Sequence, residues 1–382
     1  MRILHTSDWH VGRTFHGHDL LADQRAVLTA ISALVAEHAV DVVVIPGDLY
    51  DRAIPSTEAV AVLTGALQDI RAAGAQIVAS AGNHDSAPRL GAFSGFLAAG
   101  GLHLRTSISR IADPVLLADE HGEIAFYPLP YLEPEVVRRT FGIDGAASHQ
   151  AVMAVAMDAV RADLARRPGA RSVVLAHAFA VGAVVGGSER SIAVGGVESV
   201  TGEVFDGIDY VALGHLHGRQ TLSERMRYSG SPLAYSFTEA GHRKSVWLID
   251  IDAAGAISAK SLELPIPRPL AEVVGTLPDI LAGNDELVEH YLSARLTDPV
   301  RPLEAMRRLK EKFPFAVTLS WEPPAGMSDS DSWTAGTEST VGSSDPQLID
   351  QFLLDCRGAG PSESEDVLIG QGLALASTAA SG

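Results

Sequence analysis

Five short clusters of Asp, Asn and His residues stand out as groups that could bind metal ions. Such oxygen and nitrogen donors suit Mn²⁺, iron or Zn²⁺, and one bridging carboxylate can hold two cations about 3.5 to 4 Å apart. A single Asp-x-His occurs often by chance, so the combination carries the prediction of a two-cation site with positions open for water. The clusters are Asp8-Trp9-His10, Gly47-Asp48-Leu49-Tyr50-Asp51, Gly82-Asn83-His84-Asp85, His177 and Gly214-His215-Leu216-His217.

The spacing inside the clusters fits this chemistry. In the Asp-x-His and His-x-His patterns the two donors are two residues apart, so in extended backbone they point to the same side and can reach one centre. Gly47, Gly82 and Gly214 each lie beside a donor, where a side chain would obstruct a tight turn or the approach of the backbone to the cations. His177 alone is more readily explained as a buried histidine with a satisfied hydrogen bond.

Each cluster follows a predicted strand, which is where open α/β sheets place their ligand sites. The later strands are closely spaced with little helix between them, which favours a two-sheet β-sandwich flanked by helices over a simple doubly wound sheet. The fold class is therefore predicted to be α/β. Hydrophobic periodicity predicts strands at 1–7, 42–45, 76–80, 124–127, 172–176, 209–213, 226–229, 245–251 and 257–264, and helices at 20–39, 56–73, 88–99 and 147–165.

Further along the chain, composition and periodicity predict three smaller segments after a main domain at 1–264. Pro265, Pro267 and Pro269 open a small α/β domain at 265–322, with helices at 270–281 and 302–313 and strands at 288–296 and 316–321. Residues 323–346 have the composition of a flexible linker. Residues 347–382 contain two short apolar helices, at 347–356 and 367–375, which either pack back on the body or dock on another protein.

Composition limits the classes of function. The 382 residues carry a formal net charge of −18, so a polyanionic substrate would need metals, a local basic patch or a partner to bind. The single cysteine, Cys356, excludes an intramolecular disulfide and a thiolate metal site. No membrane span is expected, and the donors that begin at Asp8 leave no space for a cleaved leader, so the cytoplasm is the expected location.

Taken in order, the patterns D-x-H, G-D-x-x-D, G-N-H-D, H and G-H-x-H resemble the calcineurin-like metallophosphoesterase superfamily over residues 1–264. Within it, the chain is similar to the SbcD family, the nuclease subunits of bacterial SbcCD complexes. That closer resemblance rests on residues 1–13, 188–196 and 228–237, and on the landmarks Leu296-Thr-Asp-Pro299 and Phe313-Pro314 in the second domain. It fades after Pro323.

The resemblance implies roles for individual residues. It makes Asp48 the bridging ligand and His84 the catalytic histidine that is not a ligand and acts on the scissile phosphate. Asp51 matches the SbcD pattern, although some relatives outside bacteria carry histidine there. Asp85 either orients His84 or caps a turn. The implied ligands of two divalent cations, with Mn²⁺ as the expected ion, are Asp8, His10, Asp48 and His217 for one metal, and Asp48, Asn83, His177 and His215 for the other.

The same resemblance implies a DNA nuclease that acts as an exonuclease on duplex ends and as an endonuclease on single strands and hairpins, in DNA repair, replication and recombination. It also implies a homodimer formed through helices such as 88–99, and an SbcC-type ATPase partner in a heterotetramer with two nuclease subunits. The second domain would cap the site, and the tail helices would dock on the coiled coil of the partner.

Two other classes of function stay open. A free-standing metallophosphoesterase acting on nucleotides or phosphoproteins is the alternative, because the same metal cluster serves many phosphate esters. An interaction module with an inactive site would lack a ligand, and none is missing. Arg13, Arg52 and Arg89 follow three of the motifs and either contact phosphates or lie on the solvated surface. None of the nearby histidines His5, His16 and His18 is expected to bind metal.

Overall fold

The computed structural model describes residues 1–143, 148–184, 199–323, 344–357 and 359–379. Contacts between residues divide the chain into two compact units, Met1–Leu270 and Ala271–Gly382, which are treated separately. The sequence landmark at 188–196 and most of the predicted linker at 323–346 lie outside the described residues.

The first unit contains sixteen complete strands and six helices among its described residues. The strands are β1 Arg2–His5, β2 Thr14–Phe15, β3 His18–Asp19, β4 Val42–Pro46, β5 Gln76–Ser80, β6 Leu102–Arg105, β7 Val115–Asp119, β8 Gly122–Pro128, β9 Arg171–His177, β10 Phe179–Ala180, β11 Ser199–Val200, β12 Tyr210–Gly214, β13 Gln220–Thr221, β14 Met226–Tyr228, β15 Ser245–Ile251 and β16 Ile257–Glu263. The helices are α1 Leu21–Glu37, α2 Thr57–Ala72, α3 Ala87–Leu90, α4 Ser94–Ala99, α5 Pro134–Phe141 and α6 His149–Leu164.

Two six-stranded sheets form the centre of this unit. The first has the order β16-β15-β1-β4-β5-β6, and the second has the order β13-β14-β12-β9-β8-β7. Strands β1, β4, β5 and β6 are parallel, as are β8, β9, β12 and β14. Parallel neighbours need crossover connections, which α1, α2 and α6 supply. The prediction of an α/β fold with two sheets flanked by helices is confirmed.

The core between the two sheets is apolar and closed to water. Val44 and Val78 from the first sheet pack in one buried cluster with Phe126, Leu175 and Ala212 from the second. On the outer face of the second sheet, α6 buries residues at helical spacing against the sheet. The central strand β4 is buried along its whole length, which explains why its sequence is a continuous apolar run rather than an alternating one.

The second unit contains a small sheet and four helices among its described residues. Its strands are β17 Leu270–Gly275, β18 Tyr291–Leu296 and β19 Ala316–Trp321, in the order β17-β18-β19. Its helices are α7 Leu277–Ala282, α8 Ala305–Lys312, α9 Asp345–Arg357 and α10 Glu363–Ala379. No described helix in either unit is both long enough and apolar enough to cross a membrane.

Two of the helix predictions are wrong, and each has a local cause. The helix predicted at 270–281 is strand β17 followed by α7, because Thr276 caps the helix by accepting a hydrogen bond from the N–H of Asp279. The helix predicted at 88–99 is split into α3 and α4. Gly91 lies at the break, and its backbone passes so close to Thr106 that a Cβ there would be 2.1 Å from the Thr106 hydroxyl.

A buried ion pair joins β7 to β9. The Arg171 guanidinium donates two hydrogen bonds to the Asp119 carboxylate, one of them 3.0 Å long, and the two side chains are 4% and 10% exposed. The hydrogen bond from Arg171 is the main reason why the pKa of Asp119 lies below its ordinary value. Stabilisation from a carboxyl of lowered pKa is present above the unfolded value, about 3.9, and is lost as pH falls through the folded value.

We expect Asp119→Asn to lower the free energy of unfolding at pH 7 by about 3 kcal/mol, since it leaves the Arg171 charge buried without its partner. The difference from wild type should shrink as pH falls below about 4, because the wild-type carboxyl then becomes protonated in the unfolded chain while the folded protein keeps it ionised to lower pH. Urea unfolding between pH 7 and pH 2 measures both effects. Asp113→Asn, at an exposed pair with Arg110, is the matched control. A difference that stayed constant with pH would contradict the assignment.

Candidate metal centre

The predicted donor clusters meet at the carboxyl ends of parallel strands from both sheets. Three clusters follow β1, β4 and β5 of the first sheet, one ends β9 of the second sheet, and one follows β12. Strand β4 contacts both β9 and β12 across the sandwich. A hydrogen bond joins the two sheets at this point, because the Pro46 carbonyl oxygen lies 2.9 Å from Nδ1 of His177.

Asp48 occupies the middle of the cluster. Its Oδ2 lies 3.5 Å from Nε2 of His10 and 3.3 Å from Nε2 of His177, and the three side chains are at most 3% exposed. Its Oδ1 accepts a 2.9 Å hydrogen bond from the backbone N–H of His84. A buried carboxylate between two imidazole nitrogens is arranged to bridge a pair of cations.

Asp8 and His217 form one group with His10. The Nε2 atoms of His10 and His217 are 3.1 Å apart, and Asp8, His10 and His217 have ligand atoms within 4.8 Å of one another. The backbone N–H of His215 donates to Asp8 Oδ1 over 2.9 Å, and the Ser7 hydroxyl donates to Oδ2. These contacts fix the Asp8 carboxylate toward the cluster.

Asn83 and His215 lie beside His177. His177 Nε2 is 2.9 Å from Oδ1 of Asn83, and the rings of His177 and His215 have centroids 5.2 Å apart. Asp8, Asp48 and His177 form another group whose ligand atoms lie within 4.8 Å. The structure thus brings all seven predicted ligands into one connected cluster.

The electrostatics of the cluster fit divalent cations. Burial raises the pKa of Asp8 to about 6. Burial alone would lower the pKa of His177, but the adjacent Asp48 carboxylate outweighs it and raises that pKa to about 9. His10 Nδ1 is buried without a hydrogen-bond partner among the described residues. Buried carboxylates surrounded by neutral or protonated imidazoles are a donor set that cations would satisfy, and the mixture of oxygen and nitrogen suits Mn²⁺, iron or Zn²⁺.

The backbone is strained where the donors lie. Eight non-glycine residues in the described part of the chain have positive φ, and four of them are Asp8 (54°), His10 (44°), Asp48 (52°) and His215 (102°). Such conformations cost about 1–3 kcal/mol each and concentrate at functional sites. The folded structure holds these side chains toward one point despite that cost.

Close backbone approach at the cluster requires glycine. A Cβ on Gly82 would lie 2.2 Å from Oδ1 of Asp48, and one on Gly214 would lie 2.0 Å from the Pro46 carbonyl oxygen. The Pro46 oxygen is the acceptor for His177 Nδ1, so a substitution at Gly214 would displace the group that orients a predicted ligand. This is the physical basis of the glycines seen beside the donors in the sequence.

We expect Gly214→Ala to lower the free energy of unfolding by about 1–3 kcal/mol, as overpacking does. We also expect it to weaken divalent-cation binding at the cluster, because Pro46 moves away from His177. Gly65→Ala is the matched control, because Gly65 lies in α2 with open space where its Cβ would be. Alanine should stabilise that helix by up to about 1 kcal/mol. Thermal unfolding and Mn²⁺ titration of both variants test this prediction. Equal effects of the two substitutions on stability and on Mn²⁺ binding would contradict it.

His84 and Asp51 lie next to the donors. The His84 ring stands edge-on to His10 with centroids 4.6 Å apart, and its Nδ1 is 2.8 Å from the backbone oxygen of Asp51. His10, Asp48 and His84 also have ligand atoms within 4.8 Å of one another. The Asp51 carboxylate lies 3.7 Å from His10 Nδ1 and 3.6 Å from the Arg13 guanidinium. Asp51 therefore contacts the cluster from outside.

Asp85 joins two of the loops that carry donors. Its carboxylate accepts hydrogen bonds from the backbone N–H groups of Gly82 (2.9 Å), Leu49 (3.2 Å) and Tyr50 (3.0 Å). It is the backbone carbonyl of Asp51 that holds the His84 ring. The sequence offered two roles for Asp85, orienting His84 or capping a turn. The contacts fit the capping role, and they also link the loop that carries Asp48 to the loop that carries Asn83.

Other side chains around the cluster carry no signal in the sequence motifs. Gln24 Nε2 donates to the backbone oxygen of His10 over 2.7 Å, and the Tyr235 ring stands 5.5 Å from the His10 ring. Glu239 and Lys244 lie behind His217. The sequence did point to Tyr235 in one way, because this residue lies in the landmark at 228–237.

Of the basic residues near the motifs, His5 lies in the sandwich, whereas Arg13 and Arg52 lie beside Asp51. His5 is buried, with ring nitrogens 2.9 Å from the Tyr210 hydroxyl and 3.1 Å from the Leu213 oxygen, so its contacts lie within the sandwich. The Arg13 guanidinium lies over the Tyr235 ring. Arg52 is 73% exposed, with Nε 3.6 Å from Asp51.

Solved structures from three organisms match this chain at low sequence identity. The Thermus thermophilus protein TT1561 is 14% identical, with a TM-score of 0.38, and the match covers 68% of this chain and 98% of that one. A dimetal phosphatase from Danio rerio is 12% identical, with a TM-score of 0.39 and coverage of 68% and 95%. GAP50, the anchor in the inner membrane complex of Plasmodium, is 11% identical, with a TM-score of 0.37 and coverage of 85% and 98%.

A family model gives the stronger result. It describes calcineurin-like phosphoesterases and matches residues 1–219, which is more than half of the 382 residues and includes all seven predicted ligands. The chain therefore belongs to the calcineurin-like phosphoesterase family.

Proposed function

We propose that this protein is a metal-dependent DNA nuclease of the SbcD type, which hydrolyses phosphodiester bonds at the cluster around Asp48. The observation that carries the hydrolytic part is the convergence of six other donors, five of them buried, on the Asp48 carboxylate, with the His84 ring beside it. The choice of DNA rests on the sequence resemblance, which extends beyond the residues of the site.

Asp8, His10, Asp48 and His217 would hold one divalent cation, and Asp48, Asn83, His177 and His215 the second, with Mn²⁺ as the proposed ion. Two such cations lower the pKa of bound water and neutralise charge on the phosphoryl oxygens during in-line displacement. The protein supplies a buried, preorganised set of donors, so little reorganisation is needed as charge develops.

His84 would transfer a proton to the leaving oxygen. A backbone carbonyl can only accept, so the contact with the Asp51 oxygen places a proton on His84 Nδ1 and fixes the ring. Nε2 is then the atom that faces the substrate, and in the imidazolium form it donates a proton or a charged hydrogen bond to the departing alkoxide. The Arg13 and Arg52 guanidiniums near Asp51 would attract the phosphate backbone.

We further propose that two copies associate through the surface formed by α2, α3 and α4. Phe93, Phe96 and Ile54 are 75%, 83% and 70% exposed there. They lie beside a cavity of about 660 Å³ whose lining is mainly apolar and also includes Arg71 and Arg89. Exposed aromatic residues clustered in this way mark association surfaces. Light scattering of the purified protein tests this, and a monomer at micromolar concentration would contradict it.

The helices α9 and α10 would dock on an SbcC-type ATPase. The predicted small domain at 265–322 would help to choose the DNA. Leu348, Phe352, Val367 and Leu368 are exposed on these helices, as a docking pair requires. A heterotetramer would contain two nuclease subunits. Co-purification of this chain with and without residues 347–382 tests the docking, and equal recovery of the ATPase would contradict it.

The test of function is hydrolysis of linear duplex and hairpin DNA with Mn²⁺, with and without the ATPase and ATP. We expect cleavage of duplex ends and hairpins that increases with the partner and ceases when EDTA removes the metal. Turnover of free nucleotides or phosphopeptides without DNA cleavage under any of these conditions would instead support a free-standing phosphoesterase.

A further inference from the structure

The ring of His217 lies between the metal cluster and a buried carboxylate. On one side its Nε2 is 3.1 Å from Nε2 of His10. On the other side its Nδ1 is 3.4 Å from Oε1 of Glu239. The side chains of His217 and Glu239 are 2% and 0% exposed. Both ring nitrogens therefore face fixed groups rather than water.

Lys244 holds the Glu239 carboxylate in place. Its Nζ donates to Glu239 Oε2 over 2.6 Å, to Ser231 Oγ over 3.0 Å and to the His217 backbone oxygen over 3.1 Å. The Ser231 hydroxyl donates its own hydrogen to the Leu233 oxygen, so it is an acceptor for Lys244. These three contacts use all three N–H groups of the ammonium.

A buried ion pair of this kind needs an explanation other than stability. Removing two charges from water is about as unfavourable as their attraction is favourable, so a well-packed apolar pair would often serve the fold equally well. The pair here contacts a predicted metal ligand at two points, through the ring and through the backbone oxygen of His217. Its geometry fits a role in setting the state of that ligand.

The chemistry of the contact determines which nitrogen of His217 carries the proton. An ionised carboxylate is an acceptor only, so it favours the tautomer with hydrogen on Nδ1. That tautomer leaves the lone pair of Nε2 directed at the cluster, as a metal ligand must have it. Carboxylates that accept from the far nitrogen of a ligating histidine also fix the ring orientation and raise its basicity.

We propose that Glu239 and Lys244 are positioning residues that lock His217 in the Nδ1–H tautomer, with Nε2 directed at the cation pair. The proposal rests on the proposed function in one respect, namely that the cluster faced by Nε2 binds cations. The choice of tautomer itself is a property of the metal-free protein and can be tested without cations.

The first variant is Glu239→Gln, which keeps the volume and one acceptor oxygen. The Lys244 ammonium will attract that oxygen, which turns the amide NH₂ toward His217 Nδ1 and favours the wrong tautomer. We expect Mn²⁺ affinity to fall about tenfold to a hundredfold. In metal-free protein labelled with ¹⁵N-histidine, the His217 signals, assigned by comparison with His217→Asn, should change from the Nδ1–H to the Nε2–H pattern.

The second variant is Glu239→Gln combined with Lys244→Met. Without the ammonium, the amide is free to turn its oxygen toward His217, so the Nδ1–H tautomer and most of the Mn²⁺ affinity should return. A second substitution in a damaged core would not restore binding, so this rescue separates positioning from general disruption. The double variant also leaves no buried unpaired charge, so it should fold even if the single variant does not.

Three results would overturn the proposal: an Nε2–H pattern for His217 in the wild-type protein, wild-type Mn²⁺ affinity in a folded Glu239→Gln variant, or no recovery in a folded double variant. Failure of the wild-type protein to bind Mn²⁺ or to cleave DNA would instead count against the proposed function. The ¹⁵N spectra of the metal-free proteins would still decide the tautomer in that case.

Discussion

Asp48→Asn should abolish hydrolysis, with a loss of about 10³-fold or more, because the variant loses several kcal/mol of charge stabilisation in the transition state. Asp48 Oδ2 is the oxygen that faces both His10 and His177, whereas Oδ1 accepts the His84 N–H. In the variant the amide oxygen takes the place of Oδ1, and the NH₂ group that replaces Oδ2 is a donor that cannot bind a cation. We also expect Mn²⁺ stoichiometry to fall below the two ions per chain that we propose for the wild type, as measured by calorimetric titration.

The fold should survive this substitution. Asp48 Oδ1 accepts the backbone N–H of His84, and the asparagine oxygen can accept the same hydrogen bond. Asp113→Asn is the matched control. That carboxylate is 47% exposed and pairs with Arg110, so the activity and metal content of this variant should equal those of wild type. Two tightly bound Mn²⁺ ions in Asp48→Asn would rule out the bridging role.

The central strands and the convergence of the donors were predictable from the sequence. The strands at 76–80, 245–251 and 316–321 have the predicted bounds, because apolar runs between turn residues leave little choice of limits. The donors could be expected to meet because each follows a parallel strand, and the carboxyl ends of such strands share one edge. The sequence motifs and the expected strand order therefore both predicted a site at the carboxyl ends of the parallel strands.

Contacts that depend on tertiary packing were not predictable in this way. Glu239 and Lys244 lie 22 and 27 residues after His217 along the chain, and no motif spacing links them. The role of Asp85 depends on which backbone N–H groups surround it, and the sequence showed only that it follows His84. The short hairpin β2-β3 was missed as well, since strands of two residues have no period to detect.

His84→Gln separates two roles that the geometry allows for this histidine. Its ligand atoms lie close enough to those of His10 and Asp48 to join a metal site, whereas we propose that it is a proton donor and not a ligand. If it is the proton donor, the variant should keep two Mn²⁺ ions and lose about 10²- to 10⁴-fold in the rate of DNA cleavage, the usual contribution of general acid catalysis. If it is a ligand, metal stoichiometry should fall together with the rate.

The leaving group gives an independent measurement of the same role. A p-nitrophenolate departs without protonation, so a proton donor matters little for p-nitrophenyl phosphodiesters and greatly for DNA, whose leaving group is an alkoxide. We therefore expect His84→Gln to impair cleavage of DNA far more than cleavage of the p-nitrophenyl ester. His16→Gln is the control, because the His16 ring packs against Phe15 and Phe237 and should affect neither reaction. Equal losses on both substrates would mean that His84 acts before the leaving group departs, through the cations or the substrate phosphate.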